Sequence, residues 1–149
     1  MNPEVVTIGL GYIGLPTSAL IASKSTQVLG VDIDQKVVDT VNEGKIHIVE
    51  PDLDVIVSKA VNDGFFKAST TAVAADTFLI VVPTPFKGNH EPDISYVESA
   101  TRAILPLLKK GDLYIIESTS PIGTTEKMQD LIFQSRPDLK GEIYIAYCP

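Results

Sequence analysis

The chain has one cysteine among its 149 residues, Cys148. A single thiol cannot close an internal disulfide, and without a CxxC pair no cysteine-based metal site forms. Long apolar runs are also missing: no stretch approaches the roughly 20 residues that a membrane-spanning helix needs. The opening MNPEVV lacks the basic and long apolar regions of a secretion signal. Positive charge is scarce, with 12 Lys and Arg against 19 Asp and Glu and a net charge of −7. No block of lysines is present to hold a phosphate backbone, which argues against nucleic acid as a partner. A small anion is still allowed, because a few aimed backbone N–H groups can hold a phosphate on an acidic protein. These absences lead to the expectation of a cytoplasmic domain with no membrane partner, no nucleic-acid partner and no metal.

What is present is an alternation of short apolar runs and helical patterns. Val5–Ile8 reads as a strand and Ile13–Ser23 as a helix, with Pro16 in its first turn, where a missing N–H costs nothing. Val28–Asp32 is a second strand, followed by a helix over Gln35–Glu43 that Gly44 stops. Pro51 suits the first turn of a helix that carries Leu53, Ile56, Val57, Ala60 and Val61 and closes at Gly64. Phe66–Ser69 is a third strand. Thr77–Val82 is continuously apolar after its first residue, as a strand buried on both faces should be.

PTPFKGNHEPD, residues 83–93, reads as a loop. Ser95 with Glu98 has the form of a capping box. Ile94, Val97, Thr101, Ile104 and Leu108 make one helical stripe that ends at Lys109, Lys110 and Gly111. Leu113–Ile116 is a strand, Thr124–Phe133 a helix and Ile143–Ala146 the last strand. No repeat or linker interrupts the pattern, and the length suits one domain, residues 1–149. The order predicts an α/β fold of Rossmann type: a doubly wound, mostly parallel sheet with helices on both faces. Ligands bind such sheets at the carboxyl ends of their strands. Gly9–Gly14, Asp32, Pro83–Pro85, Glu117–Gly123 and Tyr147–Pro149 are therefore expected to converge on one crevice.

The spacing Gly9-x-Gly11-x-x-Gly14 gives that crevice a chemistry. The first glycine allows a tight turn, the second lets the backbone approach a pyrophosphate, and the third lets helix and strand pack closely. The helix then presents free N–H groups and its positive end to the phosphates. Asp32 lies 18 residues beyond Gly14, near the expected spacing of about 20. A carboxylate there accepts from both adenosine ribose hydroxyls and repels a 2′-phosphate, favouring NAD over NADP. S-adenosylmethionine sites also use glycine loops with a distal acid, and a turn whose glycines serve packing alone is the plainer alternative.

GLGYIGLP, VDID, HIVEPDL, VVPTPFKGNHEPD, YVESATR, ESTSPIGTTEKM and IAYCP together resemble the UDP-glucose/GDP-mannose dehydrogenase family along essentially the whole chain. The resemblance implies oxidation of the C6 alcohol of a nucleotide sugar to a carboxylate with two NAD and no metal, with UDP-N-acetyl-D-mannosamine the favoured substrate. In the family a cysteine attacks the intermediate aldehyde, and a second hydride transfer yields a thioester that water hydrolyses.

Carried over by position, Tyr12 and Ile13 would lie on the pyrophosphate through their backbones, and Asp32 on the ribose. Pro83 and Thr84 would line the nicotinamide side. Thr119 matches a threonine that positions the catalytic water, and Thr125 would face the cofactor. Glu50 sits in a loop that reaches toward the cleft in the family. A basic residue that many UDP-glucose members carry five positions after the ribose acid is Val37 here, with Lys36 one place early.

The residues taken alone leave other readings open. Thr84 could be a turn former, Thr119 could satisfy backbone groups at its strand end, Thr125 could cap its helix, and Glu50 could complement a helix dipole. His47 and His90 read as loop residues. Cys148 matches a family cysteine that is not the nucleophile, and reads as a buried strand-end residue. The nucleophilic cysteine and the sugar-binding domain of the family would lie beyond Pro149. The chain is therefore expected to be the N-terminal NAD-binding part of a longer enzyme, inactive and monomeric alone, with a parent that dimerises or assembles further. A stand-alone nucleotide-binding regulatory module, or the Rossmann domain of another NAD-dependent dehydrogenase, is the alternative.

Overall fold

Six strands pair side by side in one sheet, every pair parallel, in the computed structural model, which describes residues 1–149. They are β1 (Val5–Ile8), β2 (Val28–Val31), β3 (Phe66–Ser69), β4 (Thr77–Ile80), β7 (Leu113–Ile116) and β8 (Tyr144–Tyr147). The spatial order is β3-β2-β1-β4-β7-β8. The chain therefore leaves β1 in one direction through β3, then returns and builds outward from β4 in the other. That reversal between β1 and β4 is the switch point where doubly wound sheets bind ligands.

The register is level. Ile8 pairs with Val31 and Ile80, and Ile116 pairs with Ile80 and Tyr147. All carboxyl ends consequently share one edge.

Helices α1 (Gly14–Ala22), α2 (Gln35–Asn42) and α3 (Leu53–Asn62) contribute Leu15, Ala19, Val38, Val41, Leu53 and Val57 to one core, with Val28 and Phe66. Helices α4 (Ser95–Ile104) and α5 (Thr124–Ser135) contribute Val97, Ile104, Met128 and Ile132 to the other, with Val6, Phe78, Ile80, Tyr114 and Ile116. A strand with helices on both faces must be apolar on both, which is why Phe78, Leu79 and Ile80 are all buried. Both α2 and α3 end as their glycines predict. Gly44 donates to the Val41 carbonyl and Lys45 to that of Thr40; Gly64 and Phe65 do the same toward Val61 and Ala60.

Several local expectations are corrected. Residues 83–93 are more than a loop: β5 (Phe86–Lys87) and β6 (Glu91–Pro92) pair as a short antiparallel hairpin. The capping box at Ser95 and Glu98 does not form. Ser95 is the first helical residue, and the Asp93 carboxylate accepts from its backbone N–H at 2.9 Å. The apolar stripe to Leu108 is real but not one helix. Pro106 turns Leu105–Leu107 into a 3-10 turn, and Leu108 is buried beyond it. Pro51 stays in a turn before α3, α5 runs two residues further than Phe133, and β8 is shifted one residue from 143–146. Val81 and Val82 lie past the end of β4.

Candidate cofactor site

The glycine loop joins β1 to α1 at the switch point, and each glycine has a distinct physical reason. Gly9 has φ +102°, and a Cβ there would lie 2.2 Å from the Val81 carbonyl oxygen. Gly14 admits no side chain either, since its Cβ would meet the Gly9 carbonyl oxygen at 1.9 Å. Gly11 is different. It is exposed, and nothing lies within 4 Å of where its Cβ would point. The space above it is open to a ligand.

The N–H groups of Gly11, Tyr12, Ile13 and Gly14 donate to no backbone carbonyl, while Leu15 already bonds back to Gly11 at 3.1 Å. Four unpaired donors at the start of a helix are a suitable cradle for an anion. The Tyr12 and Ile13 side chains stand out into solvent.

Asp32 directly follows β2 and is half-buried. Its Oδ2 accepts from the Leu10 N–H at 3.0 Å and its Oδ1 from the Asp34 N–H at 3.0 Å. The acid therefore ties the glycine loop to the end of β2, a role that spacing alone did not reveal. A carboxylate has about four acceptor positions, so two bonds leave room for hydroxyl donors. Beyond it, Ile33 is almost fully exposed at 93%.

The other half of the edge is built by the segments after β4 and β7. The Val81 N–H donates to Ile8 at 2.8 Å and Glu117 to Ile80 at 2.9 Å, which holds both exits against the sheet. Pro83 is exposed and Thr84 half-buried. Thr84 Oγ1 donates to the Thr119 carbonyl, so the structure brings these two expected site residues together. Thr119 does not serve its strand end. Ser118, which sequence reasoning passed over, does: its hydroxyl, buried, donates to Val82 at 2.7 Å, with a second contact to Ile80 at 3.3 Å. Thr119 is exposed, and no hydrogen bond within the chain engages its side-chain hydroxyl.

Thr125 is the second residue of α5 and not its cap. Gly123 precedes the helix, and Thr124 Oγ1 bonds back to the Pro121 carbonyl at 2.8 Å. A further contact, invisible in the sequence, links Thr17 Oγ1 on α1 to Glu117 Oε1 at 3.3 Å.

The remaining singled-out residues stand apart. Glu50 is exposed and gives its carbonyl to Leu53 at the entry to α3. His47 and His90 are exposed in loops; His90 has φ 62° and its ring centroid lies 6.1 Å from that of Phe86. Cys148 is exposed rather than buried, because β8 is the edge strand and its end is uncovered. Val37 is half-buried against the first core, and the Lys36 side chain is exposed. A wide groove of about 790 Å³ between α3 and the segment 44–46 that follows α2 is lined by Lys45 and Lys59, each paired with a nearby acid. It lies away from the strand ends.

A doubly wound parallel sheet, a glycine loop with unpaired helix-start amides and an acid at the next strand end define a dinucleotide-binding domain. The comparisons narrow the class. Residues 3–149 match the UDP-glucose/GDP-mannose dehydrogenase family NAD-binding domain, and the chain belongs to that family. Its cofactor is NAD.

The chain is 60% identical, over 97% of its length and 36% of the relative's, to a UDP-N-acetyl-D-mannosamine dehydrogenase of Escherichia coli K12. It thus spans little more than a third of such relatives. Among solved structures, the UDP-N-acetyl-mannosamine dehydrogenase of Staphylococcus aureus superposes with a TM-score of 0.92 at 40% identity, covering 97% of this chain and 36% of that one. A ternary complex of GDP-mannose dehydrogenase from Pseudomonas aeruginosa gives 0.82 at 28% identity, covering 88% and 32%. No helix is long and apolar enough to cross a membrane.

Proposed function

We propose that the chain is the NAD-binding part of a cytoplasmic UDP-sugar 6-dehydrogenase that oxidises UDP-N-acetyl-D-mannosamine to the corresponding uronate with two NAD. The 60% identity to the Escherichia coli enzyme over nearly the whole chain carries this reading.

The geometry supports a direction for the cofactor. The adenosine ribose goes to Asp32 and the pyrophosphate to the unpaired amides of Gly11–Gly14. The nicotinamide end then falls over the exits of β4 and β7, beside Pro83, Thr84, Thr119 and Thr125. When bound, NAD supplies the hydride acceptor. The chain's part is to hold the cofactor, and Thr119, whose hydroxyl is unengaged, is suited to orient a water near the reacting carbon. Cys148, the one cysteine here, matches a family cysteine that is not the nucleophile, so on this reading the nucleophilic thiol belongs to the rest of the enzyme. The domain alone binds cofactor without turnover and is a monomer, while the enzyme that carries it is a dimer or larger.

Calorimetric titration with NAD and NADP at one ionic strength tests the cofactor half, with NAD expected to bind clearly more tightly. A preference for NADP would overturn the role given to Asp32. Absorbance of NADH, measured for this domain joined to its sugar-binding part, tests the substrate. UDP-N-acetyl-D-mannosamine should be oxidised faster than UDP-glucose or GDP-mannose, and the reverse order would refute the assignment.

A further inference from the structure

One charged side chain lies in the segments that directly leave β1, β4 and β7; Lys87, Glu91 and Asp93 follow further out in the hairpin. The segments that follow β1, β4 and β7, namely 9–13, 81–85 and 117–123, carry no Lys, Arg, His or Asp, and their only charged residue is Glu117. Helix α1, which packs beside them, has no charged residue at all. The nearest charges on α5 are Glu126 and Lys127, which follow the two threonines at its start. Glu117 takes part in no ion pair.

Its backbone is pinned to Ile80 at 2.9 Å, and its Oε1 accepts from Thr17 Oγ1 at 3.3 Å. Thr17 lies on the turn of α1 that follows the anion cradle. The built Cβ position of Gly14 is 3.5 Å from the Val81 side chain, so the first turn of α1 leans over the exit of β4. The Thr17–Glu117 contact therefore bridges α1 and β7 across the end of β4 and holds a half-buried carboxylate at that end of the crevice.

We infer that Glu117, positioned by Thr17, makes this site discriminate between the two redox states of its cofactor, favouring NAD⁺ over NADH. The inference rests on the cofactor direction given above. The two forms share the same adenosine and pyrophosphate, so a nearby acid repels those phosphates equally in both. They differ in the ring, which is positive in NAD⁺ and neutral in NADH. A carboxylate in a partly desolvated cleft attracts the first ring and has no charge to attract in the second. Such a site holds the oxidant and lets the reduced product leave.

The experiment measures NAD⁺ by calorimetry and NADH by fluorescence on the intact chain and on Glu117→Gln, Glu117→Asp and Thr17→Val. ADP-ribose, which lacks the nicotinamide ring, serves as the reference ligand. The ratio Kd(NADH)/Kd(NAD⁺) should fall roughly fivefold in Glu117→Gln, as expected for losing one charge several ångströms from the ring. It should fall less in Glu117→Asp, which keeps the charge, and by an intermediate amount in Thr17→Val. ADP-ribose affinity should not move.

A purely structural role for Glu117 would weaken all three ligands together and leave the ratio alone. A ratio within twofold of the unsubstituted chain, with ADP-ribose still bound, overturns the inference and leaves the cofactor direction standing. Failure of the unsubstituted chain to bind ADP-ribose overturns both.

Discussion

Replacing Asp32 by asparagine removes one negative charge and turns one of two acceptor atoms into a donor. The two oxygens of Asp32 now take the N–H groups of Leu10 and Asp34, each at 3.0 Å. An amide can satisfy only one of them, and its NH₂ group faces the other N–H donor to donor. The Leu10 bond is part-buried and charge-assisted, while the Asp34 bond is exposed and worth less. A net loss of about 1–2 kcal/mol in unfolding free energy follows for Asp32→Asn, and slightly more for Asp32→Ala, which frees both donors.

The binding effect should be larger than the stability effect. Two hydroxyl bonds to a charged acceptor become at most one to a neutral acceptor, which weakens NAD by roughly 10- to 100-fold. The repulsion of a 2′-phosphate disappears at the same time, so the preference for NAD over NADP should narrow or vanish. Urea unfolding followed by circular dichroism gives the first quantity, since a chain of this size is expected to unfold in two states. Calorimetry with both dinucleotides gives the second. If Asp32→Asn loses stability but keeps the NAD:NADP ratio, Asp32 is a tether for the glycine loop and not a ribose ligand. If neither quantity changes, the geometry argued for this acid is wrong.

Three further outcomes are expected. Gly14→Ala puts a methyl group 1.9 Å from the Gly9 carbonyl oxygen; backbone must shift, so the unfolding free energy from urea titration should fall by about 2–3 kcal/mol and NAD binding should be lost, and an unchanged midpoint would refute the close-approach argument. Ser118→Ala removes the donor to Val82 and should cost about 1–2 kcal/mol, whereas Thr119→Ala should stay within ~0.5 kcal/mol while lowering NAD-dependent turnover in the enzyme that carries this domain; equal stability losses would contradict the division of labour drawn between the two hydroxyls. Burial pushes the Tyr114 phenol up to about 12, partly opposed by its 2.6 Å hydrogen bond with Thr101. The unfolded chain then releases this proton first, so stability is full below pH ~10 and falls as the pH rises toward 12 by an order of 2 kcal/mol. Tyr114→Phe should flatten that alkaline slope, and a slope unchanged in the variant would count against the burial effect.

The local chemistry of the cofactor loop was legible in the sequence because it depends on neighbours in the chain. A strand of β-branched residues, three glycines at fixed offsets and a helix start specify Gly9, Gly11 and Gly14 without reference to anything distant. The acid at Asp32 follows from the length of one βαβ unit. The alternation of apolar runs and helical stripes likewise predicted five helices and a parallel sheet, and the resemblance of the linked motifs pointed to the family.

Tertiary structure decided what crosses from one segment to another. The bond from Leu10 to Asp32 spans 22 positions, Thr84 to Thr119 spans 35, Ser118 to Val82 spans 36 and Thr17 to Glu117 spans 100. Each of these residue types is common, and although Asp32 carries a spacing signal as an acid, no spacing announces any of these four pairings. Only the reversal of strand order, which sets β1 between β2 and β4, brings them to one edge. The same holds for caps. Asp93 rather than Ser95 serves the start of α4, and Gly123 rather than Thr125 precedes α5, because the turns that lead into those helices set which side chain can reach. Local propensity chose the elements, and long-range packing chose which of several eligible hydroxyls and carboxylates would be spent on the fold and which left open to a ligand.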